Sequence, residues 1–107
     1  MPVESVALTE AVYYILLALK TPLHGYGIMQ NVMELSAGRV NLAAGTLYGA
    51  LSTLLERGWI RSLPGEQNSR KKQYEATDLG MKMVANEILR LKELLTNGEI
   101  IMGGDTK

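Results

Sequence analysis

The sequence predicts a mainly α-helical fold with a small β-hairpin: a winged helix-turn-helix followed by a C-terminal dimerisation helix. Three observations predict it. Residues 44–80, AGTLYGALSTLLERGWIRSLPGEQNSRKKQYEATDLG, read in order as helix, short strand, basic turn, second strand and helix. Ahead of them lie two stretches with helical apolar spacing, separated by the turn Leu23-His24-Gly25-Tyr26-Gly27. Behind them Met81, Val84, Ile88, Leu91 and Leu95 repeat at spacings of 3, 4, 3 and 4, the pattern of a helix-helix seam.

The first helix is expected from about Thr9 to Leu19, with Leu8, Val12, Ile15 and Leu19 on one side and Tyr13 and Leu17 on the other. Apolar residues almost all round imply burial on two sides, and a second copy is expected to cover one of them. In the second helix Ile28, Val32 and Leu35 form the inner stripe, and Gly38 supplies the stop. Val40 to Leu42 is expected as a short first strand.

The third helix carries Leu47, Leu51, Leu54 and Leu55 at i, i+4, i+7 and i+8, a stripe that faces a core. Its opposite face holds Gly45, Gly49, Ser52 and Glu56, flanked by Thr46, Tyr48 and Thr53. A glycine inside a helix costs about 1 kcal/mol against alanine. The outward place of Gly49 therefore suggests that something, such as DNA in a groove, approaches the backbone there. Gly58 ends the helix, and Trp59, Ile60 and Leu63 begin a strand, with Trp59 expected to fill the gap between helix and hairpin. Pro64-Gly65 opens the turn, the loop carries Arg70, Lys71 and Lys72, Tyr74 returns the chain, and Thr77-Asp78 caps the last helix.

That last helix is expected to run from Asp78 to Thr96, with Glu87 and Lys92 beside its seam. The seam spans only about two heptads, fewer than the ~3–4 that specify a coiled coil by pattern. Packing on its own domain thus stays open beside packing on a partner. The tail after Asn97-Gly98 holds an apolar patch, Ile100 to Met102, which either docks or frays. The expected division is a DNA-binding unit over residues 1–76 and a dimerisation helix with its tail over residues 77–107.

A chain of 107 residues suits one modest core, and no apolar run approaches the ~18 residues of a membrane helix. No secretion signal is visible at MPVESVALTE, and with no cysteine there is no disulfide framework, so the cytoplasm is the expected compartment. One histidine, no cysteine and no paired carboxylates on a shared face leave no nucleophile-base set, no metal cluster and no cofactor motif, and no enzymatic activity is expected. Net charge is zero, yet residues 57–74 hold Arg57, Arg61, Arg70, Lys71 and Lys72 against Glu66, a local +4 that leaves −4 on the rest. Such a stripe is either a phosphate footprint or a solvated loop.

The blocks LTEAVYYILLAL, LHGYGI, GTLYGALSTLLERGWI and RKKQYEATDLG together resemble the PadR-type transcriptional regulators, named for the phenolic acid decarboxylase regulator. The resemblance covers about residues 6–95 and is to the short branch of the family, since no long C-terminal helical domain follows. It implies a dimeric winged helix-turn-helix, usually a repressor, bound to an inverted repeat. It also implies a dimer built from the last helix packed with the partner's first helix. The dimerisation candidates are accordingly Val12, Ile15, Leu19, Met81, Val84, Ile88, Leu91 and Leu95. The tyrosine of the wing's return strand falls at Tyr74, and where the family often has YRLT this chain has YEAT, which places an acid, Glu75, beside the wing.

Docking of the third helix in a major groove makes Thr46, Tyr48, Ser52 and Thr53 candidates for phosphate or base contact, with packing against the wing as the other role for Tyr48. No Asn, Gln or Arg precedes Arg57 on this helix, so bidentate base reading is weakly supplied and DNA shape is expected to matter. His24, Gly25 and Tyr26 stand at a helix start, where free N–H groups favour a phosphate. Arg70, Lys71, Lys72 and Tyr74 complete the candidate DNA surface. Met29, Met33, Met81, Met83 and Met102 are either packing or the lining of an adaptable pocket at the dimer centre for a small aromatic or amphipathic effector. The leading expectation is a homodimeric repressor on double-stranded operator DNA. The alternative is a winged helix that binds an acidic protein partner without touching DNA.

Overall fold

The computed structural model describes residues 7–64 and 72–103. Its elements are α1 (Glu10–Ala18), β1 (Leu23–His24), α2 (Gly25–Leu35), α3 (Ala44–Arg57), β2 (Ile60–Leu63), β3 (Gln73–Ala76) and α4 (Asp78–Ile101). The strands form one antiparallel sheet in the order β1-β3-β2. Among the described residues no helix is long and apolar enough to cross a membrane.

Local chemistry sets most of the boundaries. Thr9 caps α1 by accepting the Val12 N–H at 3.1 Å. Thr77 caps α4 by accepting the Gly80 N–H at 3.1 Å, and its hydroxyl donates to the Gly58 carbonyl at 2.7 Å, tying two helix ends together. Gly58 adopts φ 75°, and the Trp59 N–H reaches back to the Leu54 carbonyl at 3.0 Å, which closes α3. At the end of α2 the left-handed position falls first on Ala37, at φ 54°, with Gly38 after it at φ 83°. The helix therefore stops at Leu35, before the glycine that the sequence offers as its stop.

The third strand of the sheet is β1, not residues 40–42, which lie outside regular structure. The Ala76 N–H bonds the Leu19 carbonyl at 2.8 Å, so β3 is held against the end of α1. Residues just beyond α1 then fall on the free edge of β3, Leu23 opposite Tyr74 and His24 opposite Gln73. Two residues are too few to show alternation, so periodicity had nothing to mark.

The core gathers Ile15, Leu16 and Leu19 from α1, Ile28 and Val32 from α2, Leu47, Leu51 and Leu54 from α3, then Trp59, Ile60, Tyr74 and Val84. Each fully buried aliphatic side chain contributes about 1.5–3 kcal/mol. Ile15 and Leu19, expected at a dimer interface, are consumed here, as is Val84, while Val12 and Met81 pack against the same cluster. Leu55, expected in the stripe, is exposed, because the stripe of α3 is spent on Leu47, Leu51 and Leu54.

Helix α4 does not end at Thr96. It passes through Asn97-Gly98 to Ile101 and is 24 residues long, about 36 Å at 1.5 Å per residue. Its first ten residues set Met81, Met83 and Val84 in or against the core, and from Leu91 onward every described residue is exposed. Glu87, expected beside the seam, is only 4% exposed. It accepts both Nε (2.9 Å) and Nη2 (2.8 Å) of Arg90 and the Leu8 N–H at 3.3 Å. The hydrogen bonds from Arg90 hold its carboxyl below the usual carboxylate range against the opposing effect of burial. The fork to Arg90 and the reach to Leu8, distant in sequence, together let a carboxylate be buried there.

Candidate nucleic-acid interface

Burying Leu47, Leu51 and Leu54 turns the other side of α3 outward, and Gly45, Thr46, Gly49, Ser52, Thr53 and Glu56 are all exposed there. A Cβ added at Gly45 or Gly49 would meet nothing within 4 Å, so the chain itself makes no use of the space above either glycine. The Thr53 hydroxyl donates back to the Gly49 carbonyl at 3.3 Å, which occupies one of its hydrogen bonds.

Tyr48 is 48% exposed, and its ring stands on α2. A Cβ on Gly25 would overlap the Tyr48 hydroxyl and lie 2.8 Å from Cζ. Tyr74, a candidate contact in the sequence, is 8% exposed and belongs to the core, so in this chain it anchors β3 instead of lining the open surface. Burial raises the pKa of its phenol, and neighbouring Tyr48 adds to the rise.

His24 is the cap of α2: its Nδ1 accepts the Gly27 N–H at 3.2 Å. The imidazole thus takes one of the N–H groups that the sequence reading reserved for a phosphate. Gly25 is buried, and Tyr26 is exposed with its hydroxyl accepting from Gln30 Nε2 at 2.9 Å. The sheet register brings this turn beside the wing, since His24 pairs with Gln73, and exposed Lys72 precedes Gln73. Arg70 and Lys71 lie outside the described residues.

The remaining cations of the basic stripe are engaged. Arg61 bridges across the hairpin to Glu75 at 2.8 Å, a pair set by their facing register on β2 and β3. The Arg57 guanidinium lies 5.2 Å from the centre of the Trp59 ring. Trp59 itself is core, as expected, and Gly80 is glycine because a Cβ there would run into the Trp59 carbonyl. Sequence reasoning missed that contact, for which no local signal exists.

Two grooves flank α1. One, of about 320 Å³, is lined by Leu8, Glu10, Tyr13, Tyr14, Glu87, Arg90 and Leu91. The other, of about 370 Å³, lies among Ala7–Thr9, Val12, Ala50, Thr53, Leu54, Arg57 and Trp59. No methionine lines either: Met29, Met81 and Met83 pack on the core, and Met33 and Met102 are exposed.

The family model described as "Transcriptional regulator PadR-like family" matches residues 15–86. Among solved structures, the chain is similar to a transcriptional regulator from Clostridium thermocellum, at 24% identity and TM-score 0.68, over 91% of this chain and 92% of that one. A PadR family transcriptional regulator from Eggerthella lenta matches at 20% identity and TM-score 0.69, over 88% and 79%. PadR of Bacillus subtilis, solved in complex with operator DNA, matches at 26% identity and TM-score 0.66, over 78% of this chain and 48% of that one. No curated protein sequence matches.

Proposed function

We propose that this chain, which belongs to the transcriptional regulator PadR-like family, is a homodimeric repressor that reads an inverted repeat through α3 and steadies itself with the wing. The carrying observation is the outward face of α3, where Gly45, Thr46, Gly49 and Ser52 stand exposed with open space above both glycines. A smooth helix face admits close approach of a groove, and exposed Lys72 adds positive charge next to the Gln73–His24 pair. The Bacillus subtilis neighbour was solved on operator DNA, which supports the same partner here.

The dimer is supported by the outer half of α4, where Ile88, Leu91 and Leu95 continue the seam while Leu89 and Ile100 form a second apolar side. Two apolar sides fit two surfaces of a partner, its α4 and its α1. For an effector, the groove walled by Leu8, Tyr13, Tyr14 and Leu91, with the Glu87–Arg90 pair at its edge, has the size and character to take a small aromatic or amphipathic molecule. The cytoplasm is the compartment consistent with this role.

The test is a mobility-shift titration with the DNA upstream of the protein's own gene across a salt series. Binding should fall steeply as salt rises. Replacing Arg70, Lys71 and Lys72 together by Ala should weaken all sequences about equally, whereas changes at Thr46 should alter preference among sequences. Undetectable binding at low salt would refute the DNA reading. The second reading, a winged helix whose basic wing meets an acidic protein partner, would then remain.

A further inference from the structure

We propose that Tyr48 is the positioning residue of the DNA-facing surface: its ring, seated against Gly25, fixes the spacing between α3 and the first turn of α2. The proposal rests on the DNA-binding reading above and assigns Tyr48 a different task from touching bases.

Three observations carry it. Gly25 is buried, and a Cβ there would overlap the Tyr48 hydroxyl and lie 2.8 Å from ring carbon Cζ. The backbone at Gly25 is not left-handed, so the glycine serves space and not conformation. Gly27, two residues on, lacks this demand: a Cβ there would meet Leu23 and His24 at 3.4–3.7 Å, ordinary contacts. One rigid ring from α3 therefore bears on the start of α2, beside the outward surface. The glycine of one sequence block and the tyrosine of the next form a single contact.

A double-mutant cycle tests it, read as affinity for the upstream DNA at fixed salt, with melting curves confirming that each variant folds. Gly25→Ala should evict the ring and behave like Tyr48→Ala. Each should lose on the order of tenfold in affinity, and the double variant should lose no more than either alone. Tyr48→Phe, which keeps the ring, should stay within about twofold of the wild type. Additive losses, or a Tyr48→Phe variant as weak as Tyr48→Ala, would overturn the proposal in favour of direct contact through the hydroxyl. Amide NMR of Gly25→Ala without DNA gives an independent readout: shifts should spread to α3 around Tyr48. Shifts confined to residues around position 25 would overturn it even if every affinity agreed. A wild type that binds no DNA removes the underlying reading, an outcome distinct from additivity in the cycle.

Discussion

The inner and outer halves of α4 are both rich in apolar residues and have opposite fates. From Asp78 to Glu87 the helix is built into the domain: Gly80 lets the backbone of Trp59 approach, Val84 enters the core, and Glu87 holds Arg90 and the chain at Leu8. From Ile88 to Ile101 the same helix presents Leu89, Leu94, Leu95, Ile100 and Ile101 to solvent, Leu95 at 61% and Ile101 at 80% exposed. Helices this short of tertiary contact are marginal in water. The inner half thus stabilises one chain, and the outer half is suited to stabilising an assembly.

Substitutions that place a charge in each half should separate these roles, and they carry the largest expected effect. Val84→Asp would bury an unpaired carboxylate, on the order of 4 kcal/mol, which removes most of the stability of a domain at the lower end of the ordinary ~5–15 kcal/mol. Leu95→Glu would cost the single chain almost nothing. It should instead convert a dimer to a folded monomer that no longer binds operator, because two half-sites need two linked readers. Analytical ultracentrifugation with circular dichroism decides between them, and a monomeric wild type would remove the assembly role.

That contrast also shows what the sequence could and could not disclose. Four helices and a hairpin were legible because apolar spacing, Gly58, Thr77 and the basic turn are local signals. The seam at Met81, Val84, Ile88, Leu91 and Leu95 was legible as a stripe, but a stripe does not say where one chain's core ends and an open face begins. Ile15 and Leu19 illustrate the same limit, since a helix apolar all round looks alike whether its own domain or a partner encloses it. The two-residue strand β1 and the burial of Glu87 depend on chain segments far apart in sequence. On the outward side of α3 the exposed residues were foreseen from periodicity, whereas the seat of Tyr48 on Gly25 required the tertiary contact.

A smaller effect is expected from acid. Glu87 has its pKa lowered in the folded chain, chiefly by Arg90, so its contribution is fully present above the ordinary carboxylate value of 4.5 and is lost as pH falls through the lower folded value. The melting temperature should therefore decline from about pH 5 towards pH 3, and Glu87→Gln should be less stable at neutral pH with a flatter decline. An unchanged pH profile in that variant would mean that the pair does not fasten the inner half.

The smallest effect sharpens the comparison most, because it uses the same residue type in both halves. Gly80 and Gly98 both lie inside α4, but a Cβ at Gly80 strikes the Trp59 carbonyl, whereas one at Gly98 meets nothing within 4 Å. Gly80→Ala is expected to destabilise the chain, since backbone must move. Gly98→Ala should instead strengthen the outer half by up to about 1 kcal/mol through helix propensity. In the single chain that gain appears as higher helicity near the C-terminus. The dimer adds a second readout, for Gly98 is spaced 7 and 3 residues beyond Leu91 and Leu95, close to the continuation of the seam. If the partner's helix passes close to that glycine, the added methyl should raise helicity and yet weaken dimerisation. If the partner rests on Leu89 and Ile100 instead, helicity and dimer affinity should rise together. Measuring both on the one variant locates which side of the outer half is covered.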